Sequence, residues 1–205
     1  LTHSFGENLL YKNAGLTLNK GEHIGIVGQN GTGKSTLIKI CTEQIIPDSG
    51  RVIWQPNITI GYLDQYAEID HTLTMKEFLK SAFAKLFEIE TQVMQLYEKA
   101  ADGDMKNLEL AAYYQEQLET HDFYSIDTAI ERVANGLGLL AIGLDRPIIE
   151  MSGGQRAKVI LAKLLLEKPD VLLLDEPTNF LDKDHVSSLK DSFTKSVSYT
   201  HLTLP

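Results

Sequence analysis

The chain of 205 residues carries 28 acids against 19 lysines and arginines, a formal net charge of −9, and 43% of its residues are hydrophobic. That composition suits one globular domain with an elaborated insertion, provides no apolar run long enough to cross a bilayer, and forms no broad basic surface for nucleic acid. A single Cys41 excludes an internal disulfide, six histidines show no metal-ligand spacing, and the 205 residues contain no basic-then-apolar leader, so a reducing, cytoplasmic setting is expected.

Residues 1–18 alternate short apolar runs with turn residues and read as edge strands around Gly6-Glu7-Asn8. Residues 22–27 read as a buried strand feeding Gly28-Gln29-Asn30-Gly31-Thr32-Gly33-Lys34-Ser35-Thr36, which fits the pattern GxxxxGK[ST] at Gly28, Gly33, Lys34 and Ser35. Glycines at 28, 31 and 33 let several N–H groups converge, and the helix that starts at Ser35 turns its positive end to the same spot. The whole loop, with Asn30, Thr32 and Thr36, is expected to cradle the phosphates of a nucleoside triphosphate. Lys34 would reach the β- and γ-phosphates, and the Ser35 hydroxyl would complete the shell of a Mg²⁺ ion bridging them.

That helix should stop near Glu43, ahead of the turn at Pro47-Asp48-Ser49-Gly50. Strands at 51–54 and 58–63 flank Gln55-Pro56-Asn57, and the second places Gln65 at its end. From Thr74 the period becomes helical: Met75, Phe78, Leu79, Ala82, Phe83, Leu86, Phe87, Val93, Leu96 and Tyr97 share one stripe of a long helix. Asp102-Gly103-Asp104 breaks it, and a weaker amphipathic segment over 105–120 completes a helical hairpin. Five lysines face ten acids between 74 and 122, so the hairpin reads as a solvated face rather than an RNA-gripping one. A third helix is capped at Ser125 and carries Ile126, Ile130, Val133 and Leu137 inward. After Met151-Ser152-Gly153-Gly154-Gln155-Arg156 comes an apolar helix over 157–166. The aliphatic run Val171-Leu172-Leu173-Leu174 then reads as a central parallel strand. It delivers Asp175 and Glu176 to the sheet edge that also carries the phosphate loop, Asp175 to orient Mg²⁺ and Glu176 to polarise the water attacking the γ-phosphorus. Strands alternating with helices indicate an α/β fold with a mostly parallel core sheet, N-terminal antiparallel strands and a helical insertion.

The phosphate loop, Gln65, Ser152-Gly153-Gly154-Gln155 and Asp175-Glu176-Pro177-Thr178 occur in an order that resembles an ATP-binding cassette (ABC) ATPase, a P-loop NTPase fold. The resemblance implies ATP and Mg²⁺ as ligands, hydrolysis of ATP to ADP and phosphate, and a second ABC cassette, in the same full-length chain or a homodimer, as partner. It implies that Ser152, Gly153, Gly154 and Gln155 form a signature segment acting in trans on the γ-phosphate held by the opposite cassette. Gln65 would touch Mg²⁺ and the attacking water, and Asp182 would couple the two sites. Phe5 either stacks on adenine or is an ordinary core residue of an edge strand.

Within the family the resemblance is to the ABC-F branch, soluble proteins with two tandem cassettes, many of which act on the ribosome. Asn179 in the segment 175–182 and the 87-residue gap from Gln65 to Ser152, roomy enough for a helical arm, carry that reading. The ATPase subunit of a membrane transporter is the alternative, itself without direct membrane insertion. The expected cassette covers 1–195 with its helical insertion at about 74–150. Met151 replaces the family's usual leucine, and the tail 196–205 departs from the family pattern as a truncation or junction, so His201 receives no role. An isolated fragment lacking the composite site is expected to hydrolyse almost no ATP.

Overall fold

The computed structural model describes residues 1–63, 70, 72–100, 104–175 and the backbone of 200–203. Strands β1 (His3–Phe5) and β2 (Asn8–Tyr11) pair antiparallel around Gly6, whose φ of +58° suits the tight turn. The other four strands, β3 (His23–Gly25), β4 (Ile60–Leu63), β5 (Val171–Leu174) and β6 (Thr200–Thr203), form a wholly parallel sheet in the order β3-β6-β5-β4. The expected α/β class with a parallel core sheet and N-terminal antiparallel strands is the one observed.

Every residue of β5 is buried, and its two faces serve two cores. Val171 and Leu173 pack with Ile38 and Cys41 of helix α1 (Lys34–Cys41). Leu172 and Leu174 join a larger core built from Leu63, α2 (Met75–Lys80), α5 (Ile126–Gly136) and α6 (Gly153–Glu167). A strand covered on both faces has no polar side to show, which is why four aliphatic residues run together here. Each such side chain contributes about 1.5–3 kcal/mol by leaving water. Register places Leu63 level with Leu174, and both Leu174 and Gly25 level with Thr203, so the strands end at one edge of the sheet.

The insertion begins at Thr74, where hydroxyl and Glu77 carboxylate close a capping box on α2. Its return is tied to its start: Met75 N–H donates to the Arg146 carbonyl and Ile148 N–H to that of Leu73, both at 3.0 Å. Lys76 and Lys80 also reach across to Asp127 of α5. The one long helix expected from Thr74 is instead broken at Ser81–Phe83, a tight 3-10 turn in which the Ser81 hydroxyl donates to the Phe78 carbonyl at 2.6 Å. Beyond it α3 (Ala84–Ala100) and α4 (Met105–Thr120) form the expected hairpin. Phe78, Phe83 and Phe87 pack on the larger core, while Tyr97, expected inward, is exposed and donates to Gln115 on α4.

Other expectations shift for identifiable reasons. Residues 22–27 do not form a buried strand: only His23–Gly25 pair, on an edge of the sheet, and Val27 is 82% exposed. Residues 51–54 form no ladder among the described residues; Trp54 is instead held by its indole N–H, which donates to the Cys41 carbonyl. Ser125 stands at the N-cap of α5 without a side-chain cap bond, because a 3-10 turn, Phe123–Ser125, precedes it. Helix α6 starts at Gly153 rather than 157, since Ser152 caps it. In the tail expected to lie off the family pattern, the backbone of Thr200–Thr203 pairs between β3 and β5, where two open ladders accept a short β-branched and aliphatic segment.

Candidate nucleotide site

The loop between β3 and α1 turns at Asn30 and Gly31, and Gly31 and Gly33 take φ of +85° and +95°. The Thr32 hydroxyl and N–H both close back on the Gln29 carbonyl, at 2.9 and 3.3 Å. Gly33 is the N-cap of α1, and among the described residues no side chain caps the first N–H groups of that helix. They therefore stay available, at the positive end of the helix dipole, to an acceptor from outside. Lys34 is only 8% exposed, and its ammonium spans the loop, donating to the carbonyls of Gly28 at 2.7 Å and Gln29 at 3.4 Å. Ser35 is exposed, Thr36 half-buried, and Gly28 and Asn30 lie on the surface of the loop.

Asp175 follows β5 at the edge where β3 also ends, as the spacing requires. Its Oδ1 is buried and has no hydrogen-bond partner among the described residues. A desolvated carboxylate oxygen without a donor is costly unless a cation completes it, and a hydroxyl with a carboxylate is the hard-oxygen set that Mg²⁺ prefers. Ser35 and Asp175 thus fit a phosphate-bound Mg²⁺, and the open N-terminus of α1 fits the phosphates. Among the described residues no group of three or more His, Cys, Asp or Glu gathers into an alternative metal site.

The signature segment sits at the N-terminus of α6. Ser152 Oγ accepts from Gln155 N–H at 3.3 Å while Gln155 Oε1 accepts from Ser152 N–H at 2.9 Å. Ser152, Gly153 and Gly154 are exposed, and a Cβ added at either glycine would meet nothing within 4 Å. The packing of this chain does not require glycine at those positions. Gln65, Glu176 and Asp182 lie outside the described residues. Residues that would bring them to the site are therefore represented here by Leu63 and Asp175 alone.

Phe5 is 56% exposed and packs T-shaped with His3, ring centroids 5.2 Å apart at 79°. His3 is buried 3.6 Å from Asp48, whose carboxyl is held below its usual range first by the Ser4 hydroxyl and further by the Ser4 N–H and His3. This cluster fastens β1 to the turn after α1. Sequence reasoning missed it, and it also missed Tyr11, whose hydroxyl donates to the Gly33 carbonyl. Neither is part of a motif, and both depend on contacts between segments far apart in the chain. Burial pushes the Cys41 thiol up, consistent with a core role.

Comparison with known proteins agrees with this arrangement. Residues 11–179 match the ABC transporter family. Over 194 residues, 93% of the chain, the sequence is 46% identical to the uncharacterized ABC transporter ATP-binding protein YfmM of Bacillus subtilis, covering 38% of that protein. It is 38% identical to the energy-dependent translational throttle protein EttA of Escherichia coli K12 (88% of this chain, 33% of that one). To ABC transporter F family member 2 of Arabidopsis thaliana it is 36% identical (86% and 27%). The chain thus spans about a third of the length of the curated relatives it matches. Among solved structures, archaeal ribosome recycling factor aABCE1, in complex with the ribosomal stalk protein aP1, superposes with a TM-score of 0.64 at 25% identity, over all of this chain and 32% of that one. Among the described residues no helix is long and apolar enough to cross a membrane. The chain belongs to the ABC transporter family, as one of its ATP-binding cassettes.

Proposed function

We propose that this cassette binds and hydrolyses MgATP as one of two tandem cassettes of an ABC-F protein that acts on the ribosome in translation. The observation that carries the nucleotide reading is the buried Lys34 ammonium beside the uncapped N-terminus of α1, at the same sheet edge as the unpartnered Asp175 oxygen. The ABC-F reading is supported by the identity to EttA and to the Arabidopsis F family member, and by the likeness to a ribosome recycling factor.

Lys34 exchanges the carbonyls of Gly28 and Gln29 for phosphate oxygens, and the N–H groups at the start of α1 bind the same oxygens. Ser35 and Asp175, with Gln65, would hold Mg²⁺, which when bound would supply positive charge to offset that of the terminal phosphates. Glu176 orients the attacking water and takes its proton. Phe5 offers its exposed face to adenine. Ser152 and Gly154 present the N-terminus of α6 to the γ-phosphate of the opposite cassette, with Asp182 coupling the two sites, so hydrolysis needs a partner cassette and the isolated chain turns over little ATP.

Calorimetric titration with MgATP tests the core of this reading, and a folded chain that binds no nucleotide overturns it. Co-sedimentation of the full-length protein carrying Glu176→Gln with ribosomes tests the wider claim: ATP should hold the closed protein on the ribosome. Absence of ATP-dependent association, together with a stable complex with a membrane partner, would favour a transporter ATPase.

A further inference from the structure

Strand β2 departs from regular pairing at one place: His3 opposes Tyr11 and Ser4 opposes Leu9, leaving Leu10 as an extra residue. Neighbours in a regular strand face opposite sides, but a bulge re-aims them. Here both reach the same glycine. A Cβ built on Gly33 would lie 2.7 Å from the Tyr11 hydroxyl and 3.2 Å from Leu10 Cδ1, at a φ of +95° that already favours glycine. The Gly33 carbonyl accepts the Leu37 N–H at 2.9 Å, closing the first turn of α1, and the Tyr11 hydroxyl donates to the same oxygen.

That carbonyl is satisfied by Leu37 without Tyr11. A phenylalanine ring would fill the half-buried position without the cost of desolvating a hydroxyl. What the hydroxyl adds is direction. It ties the hairpin to the residue from which Lys34 and Ser35 depart.

Resting on the nucleotide reading above, we infer that Tyr11 is a positioning residue of the phosphate loop: through Gly33 its hydroxyl sets the pitch of the first turn of α1, and with it the aim of Lys34 and Ser35. Burial holds the phenol above its ordinary pKa, so it remains a donor throughout the neutral range. The hairpin that carries Phe5 and the loop that carries Lys34 are thereby one unit, so the adenine end and the phosphate end of the site keep a fixed separation.

Tyr11→Phe tests this. MgATP and magnesium tripolyphosphate, titrated calorimetrically, should both bind about three- to tenfold more weakly, the loss expected for one hydrogen bond, while adenosine followed by NMR binds as to wild type. In the nucleotide-free chain, amide exchange at Leu37 should quicken by a similar factor with the unfolding midpoint held. MgATP affinity within twofold of wild type, or an equal loss for adenosine, overturns the inference. If wild type itself binds no MgATP, the nucleotide reading fails; the exchange measurement then decides the placement of Tyr11, and an unchanged rate at Leu37 refutes it.

Discussion

The N-terminus of α1 ends on Gly33 with no side chain closing it, whereas that of α6 ends on Ser152, whose hydroxyl pairs with Gln155 in a reciprocal box. Both carry glycines, for different reasons. At α1 a positive φ and the close approach of Tyr11 and Leu10 exclude any side chain at Gly33. At α6 open space surrounds Gly153 and Gly154. The first helix end is fixed by contacts from elsewhere in this chain, and the second is complete in itself yet exposed on its outer side. That contrast is what a cassette needs if it holds one nucleotide directly and contributes to another across an interface.

The contrast can be broken most forcefully at Lys34. Lys34→Ala should weaken MgATP binding about a hundredfold by removing the charge-assisted bonds to the terminal phosphates, with the fold intact. Calorimetry checks it, and unchanged affinity would make the loop a structural turn. The same substitution at the two glycines should then act in opposite directions. Gly33→Ala should cost about 2–4 kcal/mol, through left-handed backbone strain and overlap with Tyr11. Gly154→Ala should leave stability unchanged or raise it by up to about 1 kcal/mol. Urea unfolding of the pair measures both, and equal losses would erase the distinction drawn between the two helix ends.

A smaller effect sharpens the account of α6. Ser152→Ala removes the box acceptor and should lower stability by about 1 kcal/mol while leaving MgATP affinity untouched in the isolated chain. A drop in that affinity would place Ser152 in the wrong site. The smallest effect separates two capping boxes. In α2 the box uses the Glu77 carboxylate, held below its usual range first by the Thr74 N–H and then by the Thr74 hydroxyl. A depressed carboxylate contributes stability that is present above its unfolded value and lost as pH falls through the folded one. The α2 box should therefore open only as pH falls below the ordinary glutamate range, whereas the neutral Gln155 box of α6 persists. Amide exchange at the first turn of each helix, corrected for intrinsic rate, reads this out, and Glu77→Gln should abolish the difference.

Much of the architecture is legible because its signals are local. The aliphatic run of β5 reads as a strand covered on both faces and is one. Helix α4 occupies 105–120 as its periodicity indicates, and the turn at Gln55-Pro56-Asn57 forms with Asn57 at φ +64°. The helix break at Ser81–Phe83 is not legible, since Phe78, Phe83 and Phe87 keep the helical stripe across it and all three still pack on the larger core. Residues 51–54 look like a strand by composition, but a strand also needs a partner, and among the described residues none pairs with them.

The sequence by itself determined the glycine-rich loop ahead of α1 and the delivery of Asp175 to a strand end, because each depends on residues within a few positions of one another. Tertiary structure alone decided that Gly33 is held by Tyr11, 22 residues away, that His3 is buried against Asp48, and that β5 divides its side chains between two cores. Those contacts join segments whose separation along the chain leaves no periodic trace, and only the folded packing brings them within hydrogen-bonding and van der Waals range.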